Sequence, residues 1–206
     1  MNLRTDQMPQ RELYRTLLIA VGPRPIAWVS TLSKDGTPNL APFSFFNAVS
    51  ATPPMLGFSP GIRRLPNGSE PKGTLVNVRD TREFVVNMVT FDLAESMNVT
   101  SGEYEHGVNE FELAHLATRP SQIVRPPQVA ASPVSFECKL QQIVDFGNPV
   151  TGSLVIGEVV ALYLDDKILH DGRLETDALD LIGRMGGSQY TRTTNRFEME
   201  RPVVKR

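Results

Sequence analysis

The sequence predicts a fold dominated by β-structure: a closed or partly closed antiparallel barrel with helical insertions. Three observations point there. The 206 residues include 15 glycines and 16 prolines, a density that favours turns and short strands over long helices. Several runs are β-branched or aromatic with period-two alternation, and no regular strand-helix rhythm separates them as a parallel sheet requires. Hydrophobic residues make up 40% of the chain and charged residues 21%, ordinary usage for one globular domain with its own core, here taken as 1–206.

The elements follow in chain order. Ile26 to Leu32 reads as a strand with Ile26, Trp28 and Ser30 on one face and Ala27, Val29 and Thr31 on the other. Lys34-Asp35-Gly36 reads as the hairpin turn after it. The return arm, Thr37 to Phe46, carries Pro38 and Pro42; proline cannot donate to a ladder, so this arm is expected at an edge with part of its backbone free. Ala48 to Ala51 and Met55 to Ser59 form two more strands around a Pro53-Pro54 corner.

Gly61 to Pro71, with Arg63, Arg64, Asn67, Gly68 and Ser69, reads as a polar loop. A short helix is expected over Thr74 to Asp80 and a buried strand over Phe84 to Phe91. Asp92 is placed as the cap of a helix running to Ser101, and Asn109 as the cap of another running to Leu116, with Glu112 completing a capping box. Pro120, Pro126, Pro127 and Pro133 make 118–133 an extended crossing segment. Val134 to Phe146 and Leu154 to Leu164 are the two longest strands, turned by Gly147-Asn148-Pro149. Asp177 to Ile182 is expected to be a short helix ended by Gly183, and Tyr190 to Met199 a final Thr- and Arg-rich segment.

Composition narrows the function. Lys plus Arg is 21 against 23 Asp plus Glu, for a net charge of -2, so no general attraction to phosphate backbones or anionic membranes is built in. Neither nucleic acid nor membrane is expected as a partner. The single cysteine, Cys138, excludes an intramolecular disulfide. The polar start, with Arg4, Asp6, Arg11 and Glu12, is unlike a secretion signal, and a cytoplasmic protein is expected.

Motif inspection removes several chemistries. There is no phosphate-binding Walker loop and no strand-to-helix Gly-x-Gly-x-x-Gly. His106, His115 and His170 are too scattered for a metal site, and Cys138, in an apolar strand without a histidine neighbour, reads as core. Gly183-Arg184-Met185-Gly186-Gly187 follows a helix and so reads as a cap and turn, which leaves Arg184 unexplained. What remains is 23–46 taken with Lys72-Gly73-Thr74. Hydroxyls and unpaired amides at a proline-interrupted edge, beside Phe43, Phe45 and Phe46, suit a planar heterocycle with polar edges. Lys72 and Thr74 at a helix start suit a phosphate ester. The same residues also serve as ordinary core packing and an ordinary turn, and the residues alone leave both readings open.

Blocks of sequence resolve the choice. Pro23-Arg24-Pro25-Ile26-Ala27-Trp28-Val29-Ser30-Thr31, Asn39-Leu40-Ala41-Pro42-Phe43-Ser44-Phe45-Phe46-Asn47, Lys72-Gly73-Thr74, Glu83-Phe84-Val85-Val86-Asn87, Asn109-Glu110-Phe111-Glu112 and Gly183-Arg184-Met185-Gly186-Gly187 with Tyr190 stand in that order. Together they resemble the flavin reductase-like family of FMN-binding split barrels, over residues 15 to 192.

The resemblance implies a six-stranded antiparallel Greek-key barrel, a homodimer, and FMN in a groove near the subunit interface. It implies that Ser30, Thr31 and the backbone of Ser44, Phe45, Phe46 and Asn47 meet the flavin and its ribityl chain, and that Lys72 and Thr74 hold the phosphate. Arg184 and Tyr190 fall near the flavin pocket, Arg184 being the one candidate for a catalytic charge. The family often has Lys-Asp-Thr where this chain has Lys72-Gly73-Thr74. The expected activity is hydride transfer from NADH or NADPH, as a transient co-substrate, to FMN. A flavoredoxin-like electron carrier served by a redox partner protein, and a flavoprotein oxygenase with Arg63, Arg64 or His106 at its entrance, are the alternatives.

Overall fold

The computed structural model describes residues 1–65 and 68–204. Its main sheet is built from β1 (Ala27–Leu32), β2 (Pro38–Phe43), β3 (Phe46–Ala51), β4 (Pro54–Phe58), β5 (Glu83–Asn87), β6 (Val134–Phe146) and β7 (Gly152–Leu164). These seven segments lie in the order β2-β1-β5-β6-β7-β4-β3, antiparallel throughout. The two outermost strands are consecutive in the chain. Between them only Ser44 and Phe45 intervene, so one bent run from Pro38 to Ala51 crosses from one margin of the sheet to the other. Pro38 and Pro42 offer no N–H, which suits β2 to the margin. The sheet is thereby curled into a split barrel.

Two apolar clusters hold it. Val29, Phe43, Phe58, Phe84, Val86 and Val155 are among the buried residues inside the barrel. Trp28, Leu40, Met97, Phe111, Val129 and Ile182 form part of a second cluster outside it. Strand β1 separates the two, so both its faces are buried, as strands covered on both sides must be. Trp28 satisfies its indole N–H on Thr100 Oγ1 at 2.8 Å. Glycine is required at 157: a Cβ there would stand 2.6 Å from Phe84 Cε1 and 3.2 Å from the Lys139 carbonyl oxygen. Phe84 is itself held at 5.3 Å from Phe58. Gly157→Ala is therefore expected to cost about 1–3 kcal/mol by overpacking. A urea midpoint equal to that of the native chain would contradict this.

Among the described residues four α-helices decorate the barrel: α1 (Gln10–Ala20), α2 (Gly73–Thr81), α3 (Ala94–Val99) and α4 (Glu110–Leu113). Helix α1 was not anticipated from the sequence; none of its residues is buried, so it lacks the core stripe that makes a helix legible. Helix α4 is capped by Asn109, whose side chain accepts from Phe111 N and donates to Glu112 Oε1. No helix among the described residues is long and apolar enough to cross a membrane.

Three expectations need correction. The stretch 61–71 contains a two-stranded ribbon, Ile62–Leu65 with Gly68–Pro71, tied by a cross-strand Arg63–Glu70 ion pair of 3.1 Å. Its polar sequence has no buried face to betray the pairing. Asn67 lies outside the described residues, and of Arg64 only the backbone is described. Asp92 does not cap a helix: a 3-10 turn over Phe91–Leu93 leads into α3, with Phe91 N bonded to Asp180 O. Asp177 to Ile182 is a 3-10 turn over Thr176–Ala178 followed by a strand, Ile182–Arg184. That strand pairs with Arg24–Pro25 on one side and Tyr190–Arg192 on the other. Gly183 is thus a ribbon residue and no helix cap; distant partners override the local turn signal.

Candidate functional site

A cavity of about 260 Å3 opens where α2 begins beside β2. Asn39 and Pro42 from β2, Lys72 and Gly73 from the start of α2, Arg63 from the two-stranded ribbon and His106 from a loop are among the residues around it. Lys72 has no carboxylate within ion-pair distance among the described residues, and its Nζ stands 6.0 Å from the centroid of the Phe43 ring. Arg63 is neutralised by Glu70. Gly73 and Thr74 open α2, so their N–H groups have no acceptor within the helix. The cavity therefore presents one uncompensated ammonium group and free backbone donors, which suits a phosphate ester.

Behind this wall lies a polar network. Glu110 is buried and accepts both Asn39 Nδ2 contacts, at 2.7 and 2.8 Å, and the Leu40 N–H at 2.9 Å. This fixes the Asn39 amide, whose oxygen accepts the Thr74 hydroxyl at 2.8 Å. Burial holds the Glu110 carboxyl above the usual carboxylate range, although the donors and the nearby His106 pull the other way. Asn77 donates to Thr31 Oγ1 at 3.0 Å, and its own oxygen lies 3.4 Å from His106 Nε2.

The network changes what several expected residues offer. Thr74 is 1% exposed with its hydroxyl proton committed to Asn39, so what it offers the cavity is its backbone N–H. Ser30 and Thr31 are fully buried. The Ser30 hydroxyl donates to the Pro127 carbonyl, and the Thr31 hydroxyl is engaged by Asn77 and Asn39. Their side chains brace the wall instead of lining it, because β1 is covered on both faces.

A second hollow, of about 310 Å3, is lined by Leu17, Val21, Arg24, Ser44, Phe45 and Phe46. It sits at the bend between β2 and β3, and Pro42 at the first cavity is only three residues from Phe45 at the second, about 10 Å of strand. Phe45 is 43% exposed. Asn47 is exposed, with its side-chain oxygen turned to the Ala48 N–H. Arg24 was part of a sequence block but had no role assigned from it. Its guanidinium is buried without a carboxylate, donating to the carbonyls of Leu18 and Val21 at 2.5 Å and Met185 at 2.8 Å, with Ser44 Oγ at 3.5 Å. Its acceptors are Leu18 in the last turn of α1, Val21 just past that helix, and Met185, 161 residues on.

Arg184 and Tyr190 face each other across the ribbon, with the guanidinium carbon 4.4 Å from the ring centroid and Nη2 donating to Gly187 O. Neither is among the residues lining the two openings. They connect to the second hollow through Arg24, which is the register partner of Arg184. Cys138 is buried, and burial first, then the Glu137 charge, pushes its thiol well up, consistent with a core role.

Comparison with known proteins agrees with this architecture. The family model described as a flavin reductase like domain matches residues 21–177. An uncharacterized protein of Aquifex aeolicus is 44% identical over 87% of this chain and 89% of its own. Nitrilotriacetate monooxygenase component B from Bacillus cereus superposes with a TM-score of 0.90 at 28% identity, over 97% of this chain and 98% of that one. The Pseudomonas fluorescens 2-nitrobenzoate 2-nitroreductase gives 0.87 at 31% identity, over 98% and 97%. With its bent barrel margin and a sequence match that runs from before β1 to past β7, the chain belongs to the flavin reductase-like domain family.

Proposed function

We propose that this protein is an FMN-dependent oxidoreductase that takes hydride from NADH or NADPH. The observation that carries the reading is Lys72, an unpaired cation beside the free amides of Gly73 and Thr74. A phosphate monoester would satisfy all three, and Ser44, Phe45 and Phe46 at the bend would hold the ring it carries. When bound, FMN supplies the hydride-accepting ring. The chain's own residues bind and orient it. Lys72 and the two amides fix the phosphate, Glu110 and Asn39 hold Thr74 in place, and Phe45 and Phe46 keep water from one side. Arg24 sets a buried positive charge at the second hollow, where it favours negative charge developing nearby. Hydride transfer needs no side-chain acid or base, so Arg184 is retained as electrostatic support near that hollow. The nicotinamide visits briefly, in keeping with the absent dinucleotide fingerprint. Leu17, Val21, Phe45 and Val49 are exposed apolar groups around the bend, and a second copy of the chain in a homodimer is the partner proposed to cover them.

The test is anaerobic mixing of the FMN-loaded protein with NADH or NADPH while the flavin absorbance is followed. Bleaching within seconds by one of the two supports the reading; an unchanged spectrum with both overturns it. The 31% identity to a nitroreductase favours one second reading, direct passage of the electrons to a nitroaromatic acceptor. Turnover that requires such an acceptor, and is not sustained by free flavin, selects it.

A further inference from the structure

We infer that His106 is a third, pH-dependent contact for the phosphate, and that glycine at position 73 exists to admit it. This rests on the flavin reading above. His106 belongs to the loop between α3 and α4 and lines the same cavity as Lys72. A Cβ at position 73 would come within 3.1 Å of His106 Cδ2, so the ring would have to give by a few tenths of an ångström, while Nε2 at 3.9 Å is in ordinary contact. One turn along α2, Asn77 Oδ1 lies 3.4 Å from the same Nε2. The imidazole thus lies along the α2 face that carries residues 73 and 77, and glycine at 73 leaves it there uncrowded.

The charge around it is uneven. From α2 it meets Lys72; from its own loop, Glu103, Tyr104 and Glu105; from α4, the buried Glu110; across the cavity, Arg63 and Glu70. Arg63 and Glu70 cancel as a pair, and Glu110 is engaged by Asn39 and Leu40. His106 forms no ion pair of its own among the described residues, whereas His170 does. Once protonated, an imidazole donates through both nitrogens. With Nε2 on the Asn77 oxygen, the other N–H is available to an anion. Histidine is the side chain whose charge changes between pH 5 and 8, so the contact strengthens as pH falls.

The experiment measures FMN and riboflavin affinity by flavin fluorescence, at pH 6 and pH 8.5, for the native chain, His106→Gln, Gly73→Ala and Lys72→Ala. The second ionisation of the phosphate is common to every variant and cancels in ratios. The native chain is expected to bind FMN about tenfold more tightly than His106→Gln at pH 6, from one charge-assisted hydrogen bond, and nearly equally at pH 8.5. Riboflavin should show no such difference. Gly73→Ala should follow His106→Gln, since its Cβ displaces the ring. A native-to-variant ratio that is the same at both pH values, or an equal loss for riboflavin, overturns the inference while a Lys72-dependent preference for FMN leaves the flavin reading standing. A native chain that binds neither flavin overturns both.

Discussion

Replacing Lys72 with alanine is expected to weaken FMN binding about 10- to 100-fold while riboflavin binding changes by less than about twofold, the size of one or more lost charge-assisted hydrogen bonds. The asymmetry follows from where the charge sits. Among the described residues Lys72 has no carboxylate partner to release, so removing it strands no counter-charge there and the folded state should be little affected. Its Nζ lies over Phe43 at 6.0 Å, too far for the ring interaction to matter much. Titration with the two flavins, which differ only in the phosphate, isolates the contact. Equal losses for both would remove Lys72 from the phosphate site and with it the main support for the proposed function.

Glu137→Ala is expected to be strongly destabilising, about 2–4 kcal/mol, because the buried donors of Val124 and Gln128 and the partly buried N–H groups of Gln122 and Ile123 lose their acceptor. Glu137 is 1% exposed on β6. Its carboxylate accepts the N–H groups of Gln122, Ile123 and Val124 at 2.8, 2.7 and 3.2 Å, and Gln128 Nε2 at 3.0 Å. Glu137 thereby joins the Ser30 hydroxyl on the Pro127 carbonyl and the Asn87 side-chain oxygen on the Val129 N–H in fastening the proline-rich crossing segment to the barrel. Burial acts to raise the Glu137 pKa, and the four donors outweigh it, so the carboxyl stays below its ordinary range.

The pH consequence follows from that direction. A carboxylate with a lowered folded-state pKa contributes stability that is complete above its unfolded value, 4.5, and is lost as pH falls through the folded value. Glu110, raised by burial, acts with the opposite sign: its contribution declines as pH rises from about 4.5 through its folded value. Urea unfolding of the native chain and of Glu137→Gln at pH 7 and at pH 3.5 separates the two. The gap between the proteins should narrow at the lower pH. A constant gap would mean that Glu137 holds the segment by shape alone.

How much of the site could be read from the residues depended on the range of the interactions. Lys72 and the bend at Ser44 to Asn47 were legible because proline placement and a helix start are local signals. Ser30 and Thr31 were tied to the flavin through the family resemblance, and no local signal showed that their hydroxyls are spent on Pro127, Asn39 and Asn77, groups that reach β1 from elsewhere in the chain. Glu110 stood only in the Asn109-Glu110-Phe111-Glu112 block without a role, since its partner Asn39 is 71 residues away. Arg24 stood in a recognised block without a role because Met185, one of its acceptors, lies 161 residues on.

The sequence by itself determined the antiparallel barrel, the position of its edge and the family, because strand alternation, proline and glycine act within a few residues. Only the tertiary structure decided which hydroxyls face a cavity, that 182–184 is a strand, and that His106 and Gly73 share one space. Those outcomes turn on which distant groups meet and consume one another's hydrogen bonds, and a donor's availability is set by its neighbours in space.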